Sequence, residues 1–145
     1  MMKKLLLSLV ALVLAVAASA QQAQIAEIAS HLETNRISLH YACTFTQDTP
    51  IKLNGTLLIQ GRCYQAKGNG MEIYCDGETR WTVDPASKEV YIETAEGLEE
   101  LMVWGDDLTD LKITGLQYQA LSEDLSAFRF DTASLDSAWV VTDLR

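Results

Sequence analysis

Short segments in which apolar and polar residues alternate dominate this chain. Between residues 70 and 93 three such segments are separated by Asp76-Gly77 and Asp84-Pro85, which are typical turn sequences. A longer alternating segment covers residues 37–47, with its aliphatic and aromatic side chains on one side. A period of two is the period of a β-strand. The pattern therefore predicts half-buried strands joined by tight turns.

One segment near the N-terminus has the period of a helix instead. Within residues 22–33 the apolar residues Ile25, Ile28, Ala29 and Leu32 recur at helical spacing and form one apolar stripe. Thr34-Asn35 is a suitable end for this helix.

Further strands are predicted at residues 56–60, 62–66, 71–75, 80–83, 89–93, 112–121, 127–131 and 139–143. Residues 96–110 combine helical spacing with a Gly-Asp-Asp break, and we expect a short helix or a lid-like loop there. Because the strands follow one another without intervening helices, the chain is predicted to be mainly β, with an antiparallel sheet and an N-terminal helix.

The first twenty residues have the composition of a secretory signal peptide. Lys3 and Lys4 precede an apolar run over residues 5–17, and Ala18-Ser19-Ala20 forms an A-x-A cleavage site. We expect residues 1–20 to be removed, which leaves residues 21–145 as a single soluble domain.

Net charge narrows the classes of partner. The formal charge of −9 becomes −11 when Lys3 and Lys4 leave with the signal peptide. Such an acidic chain argues against binding to nucleic acid and against an anionic membrane surface.

Three cysteines allow at most one internal disulfide. Cys63 and Cys75 flank a turn at residues 67–70, and a short hairpin loop there would place them nearly opposite each other. The pattern leaves two alternatives open, a Cys63–Cys75 bridge or three buried thiols that include Cys43. There is no C-x-x-C motif, which argues against a thiol oxidoreductase or a zinc ribbon.

The sequence contains no recognisable catalytic set. The two histidines, His31 and His40, form no metal-binding motif, and most carboxylates fall in predicted turns. We therefore expect a protein that is not an enzyme, with no catalytic residues, metal or cofactor. Trp81, in the middle of a predicted strand, has two interpretations, a core residue or a residue that lines a ligand cavity.

Several motifs together resemble one family. Phe45-Thr46-Gln47 ends the first long strand, and a G-x-L strand follows at Gly55-Thr56-Leu57. The most specific element begins at Asp76-Gly77 and continues through Trp81, Asp84-Pro85 and Val90. This order is similar to that of the LolA-like periplasmic lipoprotein carriers, and the chain resembles a compact member of that family.

The resemblance implies a fold and a function. The fold would be an open, strongly curved antiparallel sheet, or half barrel, covered by short helices. Its concave apolar face would hold the acyl chains of lipoproteins that cross the periplasm of a Gram-negative bacterium. The partners would be acylated lipoproteins or lipid, an inner-membrane lipoprotein-releasing ABC transporter and an outer-membrane receptor, and the carrier would be a monomer.

Residues are assigned to that site by their positions in the sequence. The expected apolar lining is Leu57, Ile59, Met71, Ile73, Trp81, Val83, Leu101, Trp104 and Phe128. Carriers of the family have an Arg-Pro pair after the G-x-L strand, and its Arg helps to hold a helical lid. Here Gln60-Gly61-Arg62 occupies that place, so Arg62 is the candidate lid contact.

Two other functions remain open. The chain is shorter than a full carrier between Glu93 and Leu111, where the family has lid helices and further strands. The same fold would then serve as a periplasmic binding module for another lipid or hydrophobic ligand, or as a compact envelope protein with no ligand.

Overall fold

The structure, a computed structural model, describes residues 22–46, 48–95 and 108–145. The predicted signal peptide, most of the predicted lid-like segment, and with it Leu101 and Trp104, lie outside the described residues. The elements are helix α1 (Gln22–His31) and strands β1 (Asn35–Thr46), β2 (Pro50–Gln60), β3 (Cys63–Gly68), β4 (Met71–Cys75), β5 (Thr79–Asp84), β6 (Glu89–Thr94), β7 (Leu108–Ala120) and β8 (Val140–Asp143). In the part of the chain that is described, no helix is both long and apolar enough to cross a membrane.

Eight strands form one sheet in the order β7-β1-β2-β3-β4-β5-β6-β8. The predicted mainly-β class is confirmed, and the sheet is open. The expectation of a wholly antiparallel sheet is wrong at one edge, because β8 runs parallel to β6. The segment between β7 and β8 carries the chain across the sheet, so that Val140 N donates to Lys88 O and Leu144 N donates to Ile92 O, at 2.9 and 2.8 Å.

The two faces of the sheet are covered by different parts of the chain. The helix face is the face on which Ile28 of α1 packs, and its cluster includes Leu39, Leu57 and Ile73. The tail face is the opposite face, where residues 121–139 pack against strands β3 to β6 and also contact Arg36 of β1 and Gln60 of β2. Because successive side chains point to opposite faces, the register of each strand decides which residues join which face.

Strand β2 is longer than the sequence predicts. It begins at Pro50 and passes through Asn54-Gly55, which has the composition of a turn. Gly55 lies directly opposite Tyr41 of β1 and opposite Gly68 of β3. The glycine is therefore used for close packing within the sheet and not for a reversal of the chain.

The expected strand at residues 127–131 is absent. A 3-10 turn occupies Ser126–Phe128, and a second one follows at Thr132–Ser134. Side-chain oxygens cause both turns, since Asp124 Oδ1 accepts from Ser126 N and Asp131 Oδ1 accepts from Ala133 N, each at 3.0 Å. Local hydrogen bonding therefore outweighs the alternation of Phe128 and Phe130.

Cys63 and Cys75 do not form a disulfide, and all three cysteines are free and buried. Tyr64, not Cys63, is the residue opposite Cys75 in the β3–β4 pair. That shift by one residue places Cys63 on the tail face and Cys75 on the helix face. The alternative of three buried thiols is the one that the fold adopts.

The turn at Asp76-Gly77 is confirmed. Gly77 has a φ of +93°, a conformation that favours glycine. Asp76 Oδ1 accepts hydrogen bonds from the backbone N–H groups of Glu78 and Thr79, at 3.0 and 2.9 Å. These bonds fix the register of β4 against β5, and with it the face on which Trp81 lies.

Candidate functional site: the apolar helix face

The helix face is an apolar surface that extends over five adjacent strands, from β7 to β4. Four of the residues predicted to line a ligand site lie here, namely Leu57, Ile59, Met71 and Ile73, and none is more than 7% exposed. Ala66 lies between Leu57 and Ile73, opposite both of them in the ladder. The structure therefore brings the central part of the predicted lining together.

Three other predicted lining residues lie on the tail face. Ile73 is opposite Thr82, so the helix-face positions of β5 are Arg80 and Thr82, and its two apolar residues, Trp81 and Val83, point the other way. There they pack with tail-face residues of β4 and β6 and with Phe130, Leu135 and Trp139 of the C-terminal segment. Trp81 and Val83 therefore cannot line one surface together with Leu57 and Ile73.

Phe128 is fully buried, and it also lies on the tail face. The guanidinium carbon of Arg36 is 4.9 Å from the centre of the Phe128 ring. Gln65 Nε2 donates to Ala127 O at 2.8 Å, which holds this turn against β3. The role of Phe128 in the structure is to fasten the C-terminal segment to the sheet.

Arg62, the candidate lid contact, lies exposed in the turn between β2 and β3. Its expected partners fall among residues 96–107, outside the described part of the chain, as do the lining candidates Leu101 and Trp104.

Sequence reasoning missed a group of polar residues on the helix face. Arg80 and Thr82 of β5 are buried there, and Arg80 Nη2 forms an ion pair with Glu93 Oε2 of β6 at 3.0 Å. The alternation of Arg80 and Thr82 with Trp81 and Val83 is visible in the sequence. Polar residues at such positions normally predict a solvated face, however, and here they complete the buried one.

The Arg80 guanidinium stays charged in this buried polar group, and two hydrogen-bond donors of the group lack a partner. Burial lowers the pKa of Arg80, but Tyr64 and Glu93 raise it to above its usual value, so the guanidinium stays protonated. Burial is also the main reason why the pKa of the Tyr64 hydroxyl is raised. Arg80 Nε and Thr82 Oγ1 are buried and have no hydrogen-bond partner in the structure as described. Buried donors of this kind normally have a partner, which can be water or a ligand.

Helix α1 covers part of the helix face and is fastened at its C-terminal end. Ile28 is fully buried in the cluster, with Leu32 beside it. Gly61 N, in the β2–β3 turn, donates to Leu32 O at 3.2 Å. The ring of His31 packs against that of Tyr118 in β7, with their centres 4.2 Å apart and their planes tilted by 35°. Access to the apolar surface from this side requires the helix to move.

The described side chains of this surface are of few chemical kinds. It offers aliphatic and aromatic side chains over several strands, with two hydrogen-bond donors at the β5 end. Within residues 22–46, 48–95 and 108–145 there is no group of three or more His, Cys, Asp or Glu side chains placed to hold a metal ion. Comparison with protein-family models and with curated proteins gives no match for this chain.

Proposed function

We propose that this protein binds acyl chains on its helix face and acts as a periplasmic carrier or chaperone that delivers acylated lipoproteins to the outer membrane. The observation that carries the proposal is the continuous apolar surface formed by Leu57, Ile59, Met71 and Ile73 on neighbouring strands. The resemblance of the Asp-Gly, Trp and Asp-Pro motifs to those of LolA-like carriers supports it. In that pathway the donor is an inner-membrane ABC transporter and the acceptor an outer-membrane receptor.

The free energy available from such a surface is sufficient for a carrier. Each methylene group of an acyl chain removed from water contributes about 0.8 kcal/mol. About a dozen buried methylenes leave micromolar affinity after the cost of association. A carrier must also release its cargo, and micromolar affinity for one chain allows that.

The buried polar residues of β5, Arg80 and Thr82, fit the ester group of an acylated ligand. Arg80 Nε–H and Thr82 Oγ–H are donors, and the carbonyl oxygens of an acyl ester are acceptors. Since Glu93 neutralises the charge of Arg80, this end favours a neutral ester over a free carboxylate. The ligand would therefore lie with its chain over Ile73 and its ester near β5.

A second candidate is a compact envelope protein without a ligand. The observation in its favour is the nearly complete burial of the helix face, where Leu57 and Ile73 are 1% and 0% exposed. A purely structural core would have the same property, so occupancy must be measured.

The deciding experiment is mass spectrometry of lipid extracted from protein purified from the periplasm. The wild type is expected to carry acyl lipid or lipoprotein. Ala66→Leu, which adds bulk between Leu57 and Ile73, is expected to carry much less. Ala42→Leu is the matched control, because Ala42 is exposed on the tail face of the same sheet.

Circular dichroism must show that each variant is folded, since overpacking a core costs about 1–3 kcal/mol. A folded wild type that carries no lipid and binds no acyl probe at about tens of micromolar would refute the carrier proposal. The compact envelope protein without a ligand would then be the remaining alternative. Bound lipid without any lipoprotein would favour a binding module for another hydrophobic ligand.

A further inference from the structure

Positive charge is concentrated on one part of this acidic protein. Strands β1, β2, β3 and β7 contain Arg36, Lys52, Lys67 and Lys112 but a single carboxylate, that of Asp110. The chain as a whole has 20 acidic and 11 basic residues. The charges are therefore segregated, and the net charge does not describe this part of the surface.

The register of these strands places all four cations on the tail face. Lys52 is opposite Thr44, Lys112 is opposite Ala42, and Lys67 is opposite Thr56. Arg36 is engaged by Gln60, the Asp124 carbonyl and the Phe128 ring, while the three lysines are exposed. Lys67 lies opposite Glu72 at the border of this surface with β4, and its ammonium is 5.8 Å from the centre of the Tyr74 ring. We call this surface the basic strip; its exposed residues include His40, Lys52, Asn54, Thr56, Lys67 and Lys112.

Lys52 and Lys112 lie on either side of β1 and line one groove. The groove has a volume of about 560 Å³, and Thr44 and Asn54 also line it. Strands two apart are separated by roughly 10 Å, so both ammonium groups can reach one anion between them. The Asp110 carboxylate lies at the same groove and partly opposes such an anion. Asp48, in the β1–β2 turn, lies beyond the end of the strip.

We propose that the basic strip docks on the anionic lipid headgroups of a membrane, with phosphate groups bound by Lys52, Lys67 and Lys112. The surface is part of one sheet, and apart from His40 and Asp110 its exposed polar side chains are lysines, hydroxyls and amides, which can all donate hydrogen bonds to phosphate oxygens. This docking uses the face opposite the proposed acyl site, so each can be tested without the other.

A lipid surface fits the strip better than a protein does. Tight protein interfaces depend on buried aromatic and apolar anchors at their centre. At the tail-face positions described for these four strands there is no Phe, Tyr or Trp, and the one large aliphatic residue, Leu58, is half-buried. Lysines on a polar sheet suit a continuous layer of negative charge, where each contributes roughly 1 kcal/mol near the surface.

The acidic remainder of the protein does not prevent this docking at physiological ionic strength. Charges are screened over about 8 Å there, so the membrane interacts mainly with the face nearest to it. At very low salt the screening length exceeds the size of the sheet, and the acidic residues are then repelled as well. The strip therefore orients the molecule on the membrane at intermediate salt.

The test is co-sedimentation with vesicles of phosphatidylcholine, with and without phosphatidylglycerol, at physiological and at molar salt. The wild type should bind only the vesicles that contain phosphatidylglycerol, and molar salt should release it. Each of Lys52→Gln, Lys67→Gln and Lys112→Gln should weaken partitioning about fivefold, and the triple variant about a hundredfold. Lys88→Gln is the matched control, because Lys88 is an exposed lysine in the β5–β6 turn, away from the strip.

Circular dichroism should be the same for all variants, since these side chains are exposed. Equal binding of the wild type and the triple variant would overturn the proposal, and so would equal binding to the two kinds of vesicle. A wild type that ignores both kinds of vesicle but is retained by immobilised polyglutamate would also overturn it and would assign the strip to an acidic protein.

Discussion

Tyr41 and Gly55 are in such close contact across strands β1 and β2 that any side chain at position 55 would overlap its neighbours unless they shift. A Cβ atom on Gly55 would lie 2.6 Å from the Tyr41 hydroxyl oxygen and 2.1 Å from the carbonyl oxygen of Lys67. Gly68 lies beside it on β3, where a Cβ would be 2.8 Å from the same hydroxyl. The two glycines together make room on the helix face for a tyrosine that is 3% exposed.

Gly55→Ala should therefore lower the free energy of unfolding by more than about 2 kcal/mol, since the overlap with Lys67 O is with backbone and cannot be relieved by a rotamer change. Urea denaturation measures the effect. Asn54→Ala is the control, because that neighbouring side chain is exposed and should change stability by less than about 0.5 kcal/mol. Similar midpoints for the two variants would show that the sheet relaxes readily around Tyr41.

Glu93→Leu should destabilise the protein strongly. It removes the carboxylate that pairs with the buried Arg80, and breaking one side of a buried ion pair costs about 3–5 kcal/mol. Arg80→Met combined with Glu93→Leu should recover most of that loss, because apolar residues of similar volume often replace a buried pair without cost. Arg145→Gln, which breaks an exposed ion pair with Asp143, should leave the denaturation midpoint unchanged. A double variant no more stable than Glu93→Leu alone would contradict this account.

Trp81→Phe should leave acyl binding unchanged and lower stability. Trp81 packs with Phe130, Leu135 and Trp139 on the tail face, away from the proposed acyl site. Titration with a fluorescent acyl probe should give the same dissociation constant for the wild type and for this variant, while Ala66→Leu should weaken binding at least tenfold. Loss of probe affinity in Trp81→Phe would place the ligand on the tail face instead.

Stability should fall at alkaline pH. Burial raises the pKa of the Cys43 thiol from 9.0 to about 12, and burial also raises that of the Tyr41 hydroxyl. A group that binds its proton more tightly when folded stabilises the protein fully below its unfolded pKa. For Cys43 this contribution is present below pH 9 and is lost as the pH rises towards 12.

Urea denaturation between pH 7 and pH 11 measures this loss. Cys43→Ala should show a shallower decline above pH 9. Native protein should react slowly with a thiol reagent at pH 8, and denatured protein should expose three thiols. Rapid labelling of native Cys43 would contradict a buried, protonated thiol.

The alternation of residues was sufficient to predict most strands, because the period of two is a local property of each segment. The turn at Asp76-Gly77 was predictable for a similar reason, since a short side-chain acceptor and a positive φ act within four residues. Local chemistry also explains the failure at residues 127–131, where the Asp124 and Asp131 side chains favour 3-10 turns over the strand that Phe128 and Phe130 suggest.

The sequence by itself determined that each strand has an apolar side. The tertiary structure decided which of those sides lie together on one face of the sheet. Register is set between strands, so no segment alone shows that Ile73 lies opposite Thr82, with Trp81 on the other face, or that Tyr64 and not Cys63 lies opposite Cys75. The net charge could likewise be read from the composition. Only the pairing of β7 with β1 placed Lys112 on the same face as Lys52 and Lys67, because distant parts of the chain become neighbours only when the sheet forms.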